Sequence, residues 1–136
     1  EAEATLDVRA LPDENQAEFL STLARIIDDP AIEIVPPSSG RPAAPPSPLG
    51  TDLFRAMEKI QSEMFPGAIT LPAMSTGASD SAQLRAAGVP TYGIGRAGSD
   101  DQDGRAHGND ERIPIEGLGI LVEFMYRTVL EVAAAQ

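Results

Sequence analysis

The chain has 136 residues, 42% hydrophobic and 23% charged, which fits one folded domain with a core of its own. A net charge of −11 argues against binding nucleic-acid phosphates or an anionic membrane surface, and no apolar run approaches the roughly 20 residues needed to span a bilayer. With no cysteine, disulfides, thiolate nucleophiles and cysteine-zinc sites are excluded, whereas a cytoplasmic and an exported location stay equally open.

Ala4, Leu6 and Val8 alternate with Thr5, Asp7 and Arg9, the period-2 pattern of a half-buried strand. The chain starts without an initiator methionine and inside that strand pattern, which reads as a processed or truncated fragment. Pro12-Asp13 is expected to open a helix capped by Asp13, with Ala17, Leu20, Leu23, Ala24 and Ile27 as its buried stripe. Asp29-Pro30 should end it, and residues 31–35 return as a second strand. Residues 1–35 therefore read as a strand–helix–strand unit.

Six of the twelve prolines fall between Pro36 and Pro48, so residues 36–48 read as an extended linker, with Arg41 as its only charge. Thr51 should cap the next helix, whose Leu53, Met57, Ile60 and Met64 share one face before Pro66-Gly67. Residues 68–74 read as a buried strand. The turn Ser75 to Ser81 enters a short helix with Leu84 inward and Gly88 as its stop. Residues 89–95 read as another strand and 96–112 as a polar, acidic loop. A last helix runs from Ile115 to about Ala134, with Leu118, Leu121, Val122, Met125, Val129 and Val132 as its buried face. Strands alternating with helices over 49–136 predict an α/β fold with a parallel or mixed sheet.

Several stretches invite a chemical reading. Ser99 to Asp110 has calcium-loop spacing around Gly104, but such a loop wants an acid first and a bidentate Glu last, so a solvated acidic loop is the better account. Gly93-Ile94-Gly95 lacks the third glycine of a dinucleotide fingerprint, and Ser75, Ser79 and Ser81 lack a nucleophile elbow. Backbone N–H groups at Gly77 to Ser81 could cradle an anion, or Ser79 or Asp80 could simply cap the following helix. His107, the single histidine, stands in the run Arg105 to Pro114. It reads as either a surface loop residue or a metal ligand whose second nitrogen Asn109 or Asp110 could hold. One imidazole is too few for a metal site.

Four segments, taken in order, carry a resemblance: ATLDVRALP from Ala4, SGRP from Ser39, STGASDSAQLRAAGVPTYGIG from Ser75, and HGNDERIPIEGL from His107. Together they resemble the C-terminal part of the zinc aminoacylase and carboxypeptidase family, whose members include carboxypeptidase S, carboxypeptidase G and succinyl-diaminopimelate desuccinylase. The resemblance covers nearly the whole chain, and the HGNDERI segment after GASDS is its most specific part. It implies an α/β catalytic domain interrupted by a smaller ferredoxin-like lid that often mediates dimerisation. Residues 1–35 would be half of that lid and 49–136 the end of the catalytic domain. His107 would bind one of two zinc ions, Arg41 would grip a substrate carboxylate, and Gly77, Ala78 and Ser79 would line the substrate pocket. The substrates implied are small peptides or N-acyl amino acids with a free carboxylate.

The family's remaining ligands, its general base and its oxyanion histidine have no counterpart in the chain, and Asp7, Asp80, Asp110 and Glu111 match no ligand position. Such a chain would need the N-terminal part of the enzyme as its partner, and alone it is expected to be inactive. The competing expectation is a non-catalytic dimerisation or interaction module derived from that family, with a homodimer as one possible assembly.

Overall fold

The computed structural model describes residues 2–36, 42, 44–75, 77–95 and 107–134. Its regular elements are four helices: α1 (Gln16–Ile27), α2 (Asp52–Met64), α3 (Ser81–Ala86) and α4 (Ile115–Ala134). Two compact units emerge, each discontinuous in sequence. The first comprises residues 1–47 and 74–91, the second 48–73 and 92–136.

The α/β expectation is overturned, and with it the ferredoxin-like half-lid: no β-strand occurs among the described residues. The four segments expected as strands, 4–8, 31–35, 68–74 and 89–95, are all non-helical, as their patterns required. None of them pairs with another. A strand is defined by hydrogen bonds to a neighbour, so an alternating pattern supplies a candidate face and no partner for it. Most of their apolar side chains accordingly stay out of the core, Leu6, Ile32, Ile69 and Leu71 among them.

In the first unit, α1 starts later than expected. Pro12-Asp13 form a turn in which the Glu14 N–H donates to the Leu11 carbonyl at 3.1 Å. The cap is Asn15, whose Oδ1 accepts from the Ala17 and Glu18 N–H groups at 2.9 and 3.2 Å. Both Asn and Asp cap well, so proximity to the first turn decides between them. Asp28 ends the helix in the left-handed region at φ 46°, its N–H donating to Ala24. Leu20, Leu23 and Ile27 are half-buried, while Ala17 and Ala24 are exposed. Ser47 Oγ donates to the Thr91 carbonyl at 2.7 Å and accepts from its N–H at 2.9 Å, tying the end of the proline-rich stretch to the residues after α3. Gly88, at φ 81°, stops α3 as its position suggested. Leu84, expected inward, is exposed.

The second unit is built on α2 packed against α4. Thr51 caps α2 as expected, its Oγ1 accepting from the Phe54 N–H at 3.1 Å. Phe54, Ala56 and Ile60 are the buried residues of α2, and Ile60 is the deepest at 4% exposure. Leu53, placed inward by the sequence pattern, is exposed instead. The Tyr92 ring sits 5.5 Å from that of Phe54 at a 47° tilt. Its hydroxyl is 2.6 Å from Thr51 Oγ1 and donates to the Pro48 carbonyl. One tyrosine thus closes the base of α2 with both an apolar and a polar contact, as an amphipathic ring allows.

On α4 the buried positions are Gly117 and Thr128, with Ile120, Leu121 and Phe124 half-buried between them. The face expected to be buried is largely open, because Leu118, Val122, Met125 and Val129 are all exposed. Thr128 lies between Arg127 and Glu131, whose ion pairs reach α2, and its small side chain lets the two helices approach closely there. Ion pairs flank the contact: Lys59 Nζ lies 2.6 Å from Glu131 Oε1, and Arg127 pairs with Glu63. The hydrogen bond to Glu131 holds the Lys59 pKa above the usual lysine value. Both pairs are solvent-facing, so they orient α2 on α4 more than they stabilise it.

Thr128 Oγ1 is buried with no hydrogen-bond partner among the described residues. A buried orphan hydroxyl costs about 1–3 kcal/mol, and valine has nearly the same shape without it. Thr128→Val is therefore expected to stabilise the second unit by about 1 kcal/mol in a thermal melt. A lowered melting temperature would show that the hydroxyl is satisfied in solution.

Candidate functional site

His107 opens the ordered approach to α4. Residues 107–110 form a turn in which the Glu111 N–H donates to the Gly108 carbonyl at 3.3 Å. Pro114 follows, and its carbonyl accepts from Leu118 in the first turn of α4 at 3.0 Å. The C-terminal side of the turn is thus attached to a helix that is itself packed on α2. His107 has φ 65°, the left-handed region, where a side chain costs roughly 1–2 kcal/mol relative to ordinary backbone. The imidazole is exposed, as are Gly108, Asn109, Asp110 and Glu111.

The second expected element is the turn before α3. Ser75 Oγ accepts from the Gly77 N–H at 3.1 Å, and Ser79 Oγ accepts from the Ser81 N–H at 3.4 Å. Two of the backbone donors in this turn are therefore engaged by serine hydroxyls. A Cβ at position 77 would stand 3.2 Å from Ser75 Oγ, so glycine keeps this turn tight. Asp80, the N-cap residue by position, makes no side-chain cap bond to α3. Gly77, Ala78 and Ser79 are all exposed.

These elements belong to different units, the Gly77–Ser79 turn to the first and His107 to the second. Arg41 lies outside the described residues, as does the span 96–106 that contains most of the acidic loop. Among the described residues no group of three or more His, Asp or Glu side chains could hold a metal ion. A zinc site takes about four ligands, or three and a water, so these residues do not by themselves fit zinc. The first unit also has an open concavity of about 630 Å³ lined by Pro12, Asp13, Ala44, Pro45 and Pro46. It includes none of the expected site residues.

The sequence model of peptidase family M20/M25/M40 matches residues 8–131. The chain belongs to this peptidase family. That match spans the Gly77–Ser79 turn, His107 and most of α4, and it bears out the resemblance carried by the ordered segments. No curated protein and no solved structure matches the chain. No helix among the described residues is long and apolar enough to cross a membrane.

Sequence reasoning found the two turns but not what holds them. The Ser47–Thr91 clamp and the Thr51–Tyr92–Pro48 contacts join residues more than 40 positions apart. No local pattern signals such pairings. The left-handed backbone of His107 has only one faint sequence sign, the glycine that follows it.

Proposed function

We propose that this chain is the C-terminal portion of a zinc-dependent metallopeptidase that cleaves the amide bond of peptides or N-acyl amino acids bearing a free carboxylate. The observation that carries the reading is the family match over residues 8–131, which includes the turn at His107. In this reading His107 contributes one zinc ligand, Gly77, Ala78 and Ser79 contribute pocket backbone, and Arg41 contributes a carboxylate fork. Residues 49–136 contribute the catalytic-domain portion, behind the linker at 36–48.

The described residues bring no second or third ligand to His107, which fits a site assembled with further protein. A left-handed histidine is the further clue. Glycine would hold that backbone without strain, so the retained side chain fits a position kept for its imidazole.

The test compares zinc content and hydrolysis of N-acetyl amino acids and dipeptides for the 136 residues alone and joined to the rest of the enzyme polypeptide. The expected result is substoichiometric zinc and no turnover alone, with both restored on joining. Turnover and one tightly held zinc per chain from the 136 residues alone would overturn the proposal.

A further inference from the structure

Pro46 and Pro48 flank Ser47, and neither has a backbone N–H, so this stretch has little to give a neighbouring strand. The residue before a proline is also pushed toward extended backbone, which leaves Ser47 few alternatives. Its side chain takes over the pairing. Ser47 Oγ donates to the Thr91 carbonyl at 2.7 Å and accepts from the Thr91 N–H at 2.9 Å. One hydroxyl thus satisfies both main-chain groups of a residue 44 positions away, at a part-buried place where water competes less.

Thr91 passes the constraint on. Its own Oγ1 donates to the carbonyl of Ser81, the first residue of α3, at 3.4 Å. Two residues earlier the Val89 N–H donates to the Leu84 carbonyl at 2.9 Å, so the segment 89–91 is fastened to both halves of α3. The Ser81 N–H in turn donates to Ser79 Oγ at 3.4 Å, which reaches the Gly77–Ser79 turn. All of these residues belong to the first unit. With six residues α3 is too short to hold itself, so its place depends on what its ends are tied to. The two bonds at Ser47 are shorter than the two at Ser81, and they keep Thr91 where the longer ones can form.

We propose that Ser47 is a positioning residue of the substrate pocket, which rests on the reading of Gly77, Ala78 and Ser79 as pocket backbone. Its hydroxyl acts at one remove, through Thr91 and Ser81, on where that turn stands. The proline-rich stretch therefore does more than join two parts of the chain, because its last serine shapes the site. Substrate affinity depends on that serine. Zinc, held through His107 in the other unit, does not.

Two measurements keep the linkage and the peptidase reading apart. In the 136-residue chain, Ser47→Ala should speed amide exchange about tenfold at Thr91 and at Ser81, the size of effect that losing a part-buried hydrogen bond allows. Ser47→Thr keeps the hydroxyl and should leave both rates near the parent values. Unchanged exchange at Ser81 in the alanine variant would overturn the proposal. In the chain joined to the rest of the enzyme polypeptide, Ser47→Ala should raise KM for dipeptides about tenfold, with kcat within about twofold and zinc content unchanged. Thr91→Val keeps the backbone clamp, loses only the bond to Ser81, and should raise KM likewise. The double variant should be no worse than the worse single one, since both substitutions cut the same chain of bonds. A KM unmoved by Ser47→Ala, or effects that multiply in the double variant, would overturn the proposal. A joined parent that hydrolyses nothing would instead sink the peptidase reading and the pocket role with it, while the exchange rates would still report the linkage.

Discussion

On the proposed reading, with His107 as a direct zinc ligand, His107→Ala in the chain joined to the rest of the enzyme polypeptide is expected to lower hydrolysis by at least about a hundredfold, since supporting partners of a ligand already account for 10–100-fold. The same site should give a second, opposite result in the isolated chain. His107→Gly removes the side chain from a backbone at φ 65° and should stabilise the second unit by about 1 kcal/mol. A position that becomes more stable and less active on the same substitution is held for its chemistry. Unchanged hydrolysis in the alanine variant would remove His107 from the site, and a destabilised glycine variant would show that the imidazole serves packing.

The second large effect concerns the α2–α4 contact. Ile60→Ala should cost about 2–5 kcal/mol, because it deletes the most buried apolar side chain, at 4% exposure, and leaves a cavity between two helices. Few residues share the burden: Phe54 and Ala56 are the other buried hydrophobics of the second unit among the described residues. Urea denaturation followed by circular dichroism should therefore show the variant largely unfolded at room temperature. Leu53→Ala, two turns earlier on the same face, should shift the midpoint little, since that side chain is exposed. Equal losses at 53 and 60 would mean that the first turn of α2 is buried in solution.

Much of the local structure was legible from residue types. Thr51, Gly67 and Gly88 mark helix ends through chemistry that acts within a few residues, and the structure uses each accordingly. The long final helix was equally plain. What failed was everything that depends on a partner. The alternation at Leu6 and Val8 correctly excludes a helix, yet no neighbouring segment turns it into a strand. On α4 hydrophobicity favoured the Leu118–Val129 face, while close approach to α2 favoured the side that carries Thr128, and periodicity alone does not weigh one against the other.

The candidate site divides along the same line. The residues of HGNDERI and GASDS stand out as strings because their chemistry is local to the string. Their assembly with Arg41 into one pocket would require long-range placement, to which neither turn contributes a signal.

The segment 68–74 carries one more consequence. Ile69 and Leu71 are exposed on a stretch that forms no strand ladder among the described residues, a surface on which another chain's strand could grow. Pro66 and Pro72 bracket it, and Thr70 Oγ1 is fastened to Gln61 Oε1 at 2.8 Å. Proline donates nothing to a growing ladder, so a templated sheet finds only residues 67–71 before it meets a stop on either side. The two prolines therefore act as gatekeepers that keep this exposed apolar stretch too short for a long templated strand.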